Sequence, residues 1–236
     1  MNSNMAADQQ GIVEWFDGVY QRKGKSYLRP PKAYLIFLEL LGAQPQHKLL
    51  DVACGPGVLL GAARAYTSQL YGIDISAKAV TQALRDQCPA DVRIGNAECL
   101  PYPDAHFDLI TCLGSLERML NVSRALLEMK RVGTPDARYC FLVRNSNRLR
   151  WKYLASIRAR RRARSHAGAD TLENWTALFE STGFEVHRVL PDQYPLHLRK
   201  QWASLFLSRI DYREPITPRK PIDRANEFVF LLGKVR

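Results

Sequence analysis

Asp51, Gly55 and Gly57 close an apolar run, Leu49-Leu50-Asp51-Val52-Ala53-Cys54-Gly55-Pro56-Gly57-Val58, and Asp74 follows 23 positions after Asp51 within Tyr71-Gly72-Ile73-Asp74-Ile75. Residues of these types at this spacing suit the holding of a nucleoside. The two glycines let a buried strand turn sharply, bring bare backbone amides against a ligand and open a helix whose N-terminus favours negative charge. A carboxylate carried by the next strand can accept hydrogen bonds from both ribose hydroxyls, and Asp74 stands one strand, one helix and one strand into the unit.

The elements that must position these residues alternate along the chain. Short apolar strands are expected near residues 48–53, 69–74, 91–94, 107–113 and 138–143, and helices over 58–67, 76–87, 118–131 and 171–182. Ser76 is expected to cap the second of these helices and Gly183 to stop the last. Glu185-Val186-His187-Arg188-Val189-Leu190 and Glu227-Phe228-Val229-Phe230-Leu231-Leu232 read as two further strands. The long stretch between them suggests an element that covers substrate or binds a partner.

The turn itself separates two kinds of nucleoside site. The dinucleotide fingerprint G-x-G-x-x-G is not met, because Gly61 comes one residue late. The order Asp51-x-Ala53-x-Gly55-x-Gly57 instead resembles motif I of the class I S-adenosylmethionine-dependent methyltransferases. Gly95-Asn96-Ala97-Glu98-Cys99-Leu100-Pro101-Tyr102 and Phe107-Asp108-Leu109-Ile110-Thr111 resemble later motifs of the small-molecule branch that includes ubiquinone and menaquinone biosynthesis enzymes. Leu127-Glu128-Met129-Lys130-Arg131-Val132 is similar to the helix before the fifth strand, and the resemblance runs from about Lys48 to Val143.

That resemblance implies a Rossmann-like, doubly wound α/β fold: a seven-stranded sheet with an antiparallel edge strand, helices on both faces and an N-terminal helical cap. It implies S-adenosyl-L-methionine as cofactor, with Asp51 organising the loop that receives the methionine half and Ala53, Gly55 and Gly57 lining it. Asp74 and Ile75 would meet the ribose, Asn96, Ala97 and Glu98 the adenine edge, and Leu113 the methyl. Asn96 replaces the acid more usual there; its side-chain carbonyl can accept the same bond without charge. Glu117-Arg118 replaces a Glu-His pair, so a histidine-based proton transfer does not carry over. The absence of an Asn-Pro-Pro-Tyr-like segment after the fourth strand argues against methylation of a nucleobase amino group.

Residues 1–41 read as a cap and 42–236 as the methyltransferase domain, with a basic helical insertion at 144–168 and a C-terminal insertion at 191–225. In the cap, which also holds Arg29, Trp15, Phe16 and Tyr20 either resemble the segment that closes over substrate in related enzymes or anchor a surface helix, Tyr20 and Tyr27 either line a site or sit at a core edge, and Tyr34 to Leu41 reads as a helix packed on the sheet. Between Arg144 and Arg164 there are nine Lys or Arg residues and no acid, in a chain of net charge +11. Leu149, Trp151, Tyr153, Leu154 and Ile157 interleave with these charges. The segment suits an anionic membrane surface or carrier, the phosphates of RNA, or a solvated helix over the site, with nucleic acid the weaker reading.

Tyr20, Tyr27, Arg29, Arg118, Arg144 and Asn145 are the substrate-binding candidates, and Glu117, His187 and His197 the candidates to accept a proton from an oxygen or carbon nucleophile. The five cysteines are scattered without close pairs and the histidines are widely separated, so no metal site is expected. No secretory signal or apolar run of membrane-spanning length is present, and a cytoplasmic protein, peripheral to the membrane if the basic helix docks there, is expected. The leading reading is methyl transfer to a small molecule such as a lipid, quinone, saccharide or natural-product intermediate. An RNA or protein methyltransferase docking through the basic helix, or a cofactor-binding protein without transfer, are the alternatives.

Overall fold

Strands buried on both faces need apolar side chains on both sides, and the first strand meets that demand: β1 (Leu49–Val52) is buried at every position. The structure, a computed structural model, describes residues 3–26, 28–147, 169–194 and 221–235. Tyr27, His197, most of the basic insertion and residues 195–220 of the C-terminal insertion lie outside the described residues.

The other strands are β2 (Leu70–Asp74), β3 (Asp91–Ile94), β4 (Phe107–Leu113), β5 (Gly133–Arg144), β6 (Phe184–Pro191) and β7 (Glu227–Lys234). They form a seven-stranded sheet in the order β3-β2-β1-β4-β5-β7-β6. The first five are parallel; β7 runs antiparallel to both of its neighbours, β5 and β6, and β6 is the edge.

Alternation along each strand sends side chains to two layers. Leu50, Val52, Ile110 and Phe141 pack with Leu126 and Met129 of α5 (Val122–Val132) and Trp175 and Phe179 of α6 (Leu172–Ser181). Leu49, Leu70 and Leu109 pack on the other face with α2 (Leu35–Leu40), α3 (Val58–Ala63) and α4 (Ala77–Arg85). The sheet is therefore wound on both faces. The remaining helix, α1 (Ser3–Lys23), lies outside these layers.

Local chemistry sets the helix ends. Ser76 caps α4 by accepting the Ala79 N–H at 3.2 Å, and Gly183 follows α6 with φ +83°, both as the sequence suggests. The helix expected over 118–131 starts only at Val122, because Asn121 caps it through the Arg124 N–H at 2.9 Å. Leu116–Arg118 is a separate 3-10 turn. β5 begins at Gly133 rather than near 138, with a register shift against β4 between Phe107 and Leu109 that accommodates the polar Thr134-Pro135-Asp136.

Candidate functional site

The turn after β1 holds three left-handed residues in a row of five: Ala53 at φ 58°, Gly55 at 56° and Gly57 at 71°. A side chain at 55 would press on the Tyr20 hydroxyl, and one at 57 on the Cys88 sulfur, each 2.6 Å from the added carbon. Both glycines hold a backbone conformation that side chains rarely adopt, and an added carbon would have to displace the Tyr20 hydroxyl or the Cys88 sulfur. The Gly55 N–H donates to Asp74 Oδ2 at 2.7 Å and the Ser76 N–H to Asp74 Oδ1 at 2.8 Å, so the acid at the end of β2 ties the two loops together. Each carboxylate oxygen keeps a further lone pair for a ligand hydroxyl.

Burial raises the proton affinity of both acids. Asp74 is pushed up to about 6, against the pull of the two backbone N–H groups and with a further upward push from Asp17. Asp51 is pushed up to about 7; the hydrogen bond donated by Thr111 Oγ1 at 2.6 Å offsets part of that shift, and the nearby Asp74 adds to it.

Two compartments open at the C-terminal ends of the parallel strands, where doubly wound sheets bind ligands. One is lined by Ile73, Asp74, Ile75, Gly95, Asn96, Ala97 and Glu98 and is roofed by Gln9, Ile12, Phe16 and Tyr20 of α1. The other is a cleft of about 450 Å³ walled by Asp51, Cys54, Gly55, Leu113, Gly114, Arg29, Tyr34, Arg144, Tyr194 and Glu227. Phe16, Tyr20, Ala53, Ser115 and Arg118 belong to both. Arg118 lies at the junction with its guanidinium 5.4 Å from the Phe16 ring centre and 5.7 Å from that of Trp15.

The far wall of the cleft is a run of alternating charges. Arg29 donates to both oxygens of Asp192 at 2.8 and 3.0 Å and to Glu227 at 2.8 Å. Arg144 lies 3.5 Å from Glu227 and 3.1 Å from Glu117, the latter an ion pair without hydrogen-bond alignment. Burial raises the proton affinity of Glu227, with Arg29 and Arg144 pulling against that shift.

All ten cofactor candidates fall at this end of the sheet; Asp51, Ala53, Gly55, Asp74, Ile75, Asn96, Ala97, Glu98 and Leu113 line a compartment, while Gly57 sits in the turn behind. Asn96 Oδ1 already accepts the Glu98 N–H at 2.9 Å, shaping the loop locally. Tyr20, Arg29, Arg118 and Arg144 line the cleft. The other placements differ from expectation. Asn145 is buried below the strand end, donating to the Ala225 carbonyl at 3.0 Å, and is a structural tie. Glu117 is buried behind Arg144 and lines neither compartment. His187 sits on edge strand β6 with its side chain half exposed, 3.9 Å from Glu185 and outside both compartments.

Sequence reasoning missed Glu227 and Asp192. The only local signal is an acid at the mouth of each apolar strand. It also missed Asp17, which accepts from the Ser76 hydroxyl and, at 3.2 Å, from the Lys78 N–H. Among the described residues, no group of three His, Cys, Asp or Glu is arranged to hold a metal, and no helix is long and apolar enough to cross a membrane.

Residues 50–141 match the family model described as a methyltransferase domain. The chain is 25% identical over 187 residues to the uncharacterized methyltransferase YcgJ of Bacillus subtilis, covering 70% of this chain and 69% of that protein. It is 34% identical over 112 residues to the ubiquinone/menaquinone biosynthesis C-methyltransferase of Cupriavidus necator, a match to 43% of this chain and 44% of the relative, so under half of that protein's length is spanned. Among solved structures, a Thermotoga maritima S-adenosylmethionine-dependent methyltransferase, described as a possible histamine N-methyltransferase, has a TM-score of 0.67 at 18% identity, covering 96% of this chain and 99% of that one. Geranyl diphosphate C-methyltransferase of Streptomyces coelicolor, solved with S-adenosyl-L-homocysteine, has a TM-score of 0.60 at 16% identity, covering 86% of this chain and 78% of that one. With the glycine turn tied to Asp74 and the strand order β3-β2-β1-β4-β5-β7-β6, these matches identify residues 50–141 as a methyltransferase domain and the fold as that of the S-adenosylmethionine-dependent methyltransferases.

Proposed function

We propose that the protein transfers the methyl group of S-adenosylmethionine to a small-molecule acceptor held in the cleft between Arg29, Tyr34, Arg144 and Tyr194. The observation that carries this reading is the junction of the two compartments at Ala53, Phe16, Tyr20, Ser115 and Arg118, which sets a narrow compartment of about 70 Å³ beside Asp74 against a cleft of about 450 Å³. A volume of that order suits a small ligand. The residues present fit the cofactor: Asp74 retains acceptor capacity for ribose hydroxyls, and a side chain at Gly114 would project into open space where the reacting groups must meet.

When bound, the cofactor supplies an electrophilic methyl on its sulfonium, so the protein's work is to align a nucleophile and exclude water. The turn 53–57 holds the methionine portion by backbone, Asp74 and Ile75 the ribose, and Asn96, Ala97 and Glu98 the adenine edge. Leu113 and Ser115 border the methyl, while Tyr20, Arg29, Arg118 and Arg144 orient the acceptor. Glu227, which lines the cleft and has raised proton affinity, replaces the buried Glu117 as a candidate carboxylate to accept a proton from the acceptor. Residues 1–41 act as the cap of this domain.

The test is methyl transfer from labelled S-adenosylmethionine to a low-molecular-mass cell extract, to total RNA and to total protein in parallel. Label in the small-molecule fraction is expected. Label confined to RNA or protein contradicts the acceptor class.

A further inference from the structure

We propose that Asp17 is a positioning residue that latches α1 over the nucleoside compartment, so that closure of α1 and reading of the cofactor ribose are one coupled event. This rests on the assignment of that compartment to the cofactor. Gln9, Ile12, Phe16 and Tyr20 recur at helical spacing and form the roof of the compartment. The same helix buries little else: Val19 and Tyr20 are its buried hydrophobic residues among those described, and Trp15 is 39% exposed. Its position therefore depends on a few anchors.

Asp17 is one of them. Its Oδ1 accepts from the Ser76 hydroxyl and from the Lys78 N–H, at the N-terminus of α4, where a carboxylate is favoured by the unpaired amides. Ser76 is fully buried, and its own N–H donates to Asp74 at 2.8 Å. Asp74 in turn accepts from Gly55. One unbroken line of hydrogen bonds thus runs from the roof helix through Ser76 to the ribose carboxylate and the glycine turn. Asp17 itself lines neither compartment, so it acts through Ser76.

The fixed and moving ends can be named. Beyond α1 the chain turns at Gly24, with φ +51°, and a few residues later Arg29 is locked between Asp192 and Glu227. Upstream of that lock, the second ionic anchor is Lys25 to Asp86 at 2.7 Å, an exposed pair that contributes little. The other clasp is Arg118 against Trp15 and Phe16. Freed from Ser76, α1 can pivot at Gly24 and uncover the compartment.

The experiment compares wild type, Asp17→Ala, Asp17→Asn and the exposed control Glu14→Gln. S-adenosylhomocysteine affinity is measured by calorimetry, its release rate by tryptophan fluorescence, and tryptic cleavage after Arg22 and Lys23 with and without it. Asp17→Ala is expected to weaken binding about tenfold, mainly through faster release, and to lose the protection that the ligand gives wild type against trypsin. Asp17→Asn, which keeps an acceptor, should fall between, and Glu14→Gln should match wild type. In a cycle with Ser76→Ala, the two losses should be less than additive, since either removes the same bond. Wild-type binding with unchanged affinity, release and protection in Asp17→Ala overturns the latch. Failure of wild type to bind the ligand overturns the cofactor assignment instead.

Discussion

The Gly55 N–H donates to the Asp74 carboxylate at 2.7 Å, which ties the turn after the first strand to the acid at the end of the second. Because ribose hydroxyls donate to the ionised acid, and Asp74 holds its proton up to about 6, cofactor binding should release a proton below that pH. Affinity for S-adenosylhomocysteine is expected to be about tenfold lower at pH 5 than at pH 7.5. Asp74→Asn should bind more weakly at pH 7.5 and lose most of that pH dependence. A flat profile in wild type between these values contradicts the assignment.

Asp51 carries a different consequence. Its proton affinity is higher in the fold, at about 7, than in the unfolded chain. Its contribution is therefore fully favourable at low pH and is lost as pH rises toward and through 7. Asp51→Asn removes this cost, and at pH 8.5 should stabilise the protein by on the order of 2–4 kcal/mol. The gain should shrink toward zero at pH 4, near the carboxyl's ordinary range. Melting temperatures of both proteins across this range decide it, and a gain that does not grow with pH counts against a buried ionised Asp51.

Removing Arg29 strips the cation from two carboxylates at once. Asp192 and Glu227 would remain buried without their shared partner, and the segment before α2 would lose its tie to β6 and β7. Arg29→Ala should cost about 3–5 kcal/mol, roughly a 10 °C fall in melting temperature for a domain of this size. Replacing the exposed Arg93, paired with Asp91, should cost less than about 1 kcal/mol. Equal effects from the two would deny the cleft wall its structural part.

Gly57 faces a double obstacle: φ +71° and the Cys88 sulfur 2.6 Å from an added carbon. Gly57→Ala should lower stability by about 2 kcal/mol, of which about 1 is the backbone conformation. Adding Cys88→Ala should return the steric part. If the second change restores nothing in denaturant unfolding, the sulfur yields freely and the glycine is needed for conformation alone.

What the sequence made readable was local. Gly55, Gly57, Asp74 and the Ser76 cap each announce a backbone conformation within a few residues, and apolar runs mark the strands, so the βαβ unit and the sheet could be anticipated. The β5 start could not, because Pro135 and Asp136 look like a turn while sheet pairing carries the strand through them. The charge wall lies further out of reach: Arg29 and Asp192 are 163 residues apart, and only the antiparallel β7 brings Glu227 between Arg29 and Arg144. Glu117 looked catalytic from its place after β4, yet the 3-10 turn buries it behind Arg144. His187 looked available because its strand was recognised, yet its side chain stands half exposed on that edge strand, outside both compartments.

The most direct test of the account is isothermal titration of the purified protein with S-adenosylhomocysteine, with NADH as the control. The account predicts saturable one-to-one binding of S-adenosylhomocysteine, loss of affinity in Asp74→Ala, and no binding of NADH. Absence of S-adenosylhomocysteine binding by the folded protein, or binding that Asp74→Ala leaves unchanged, would contradict it.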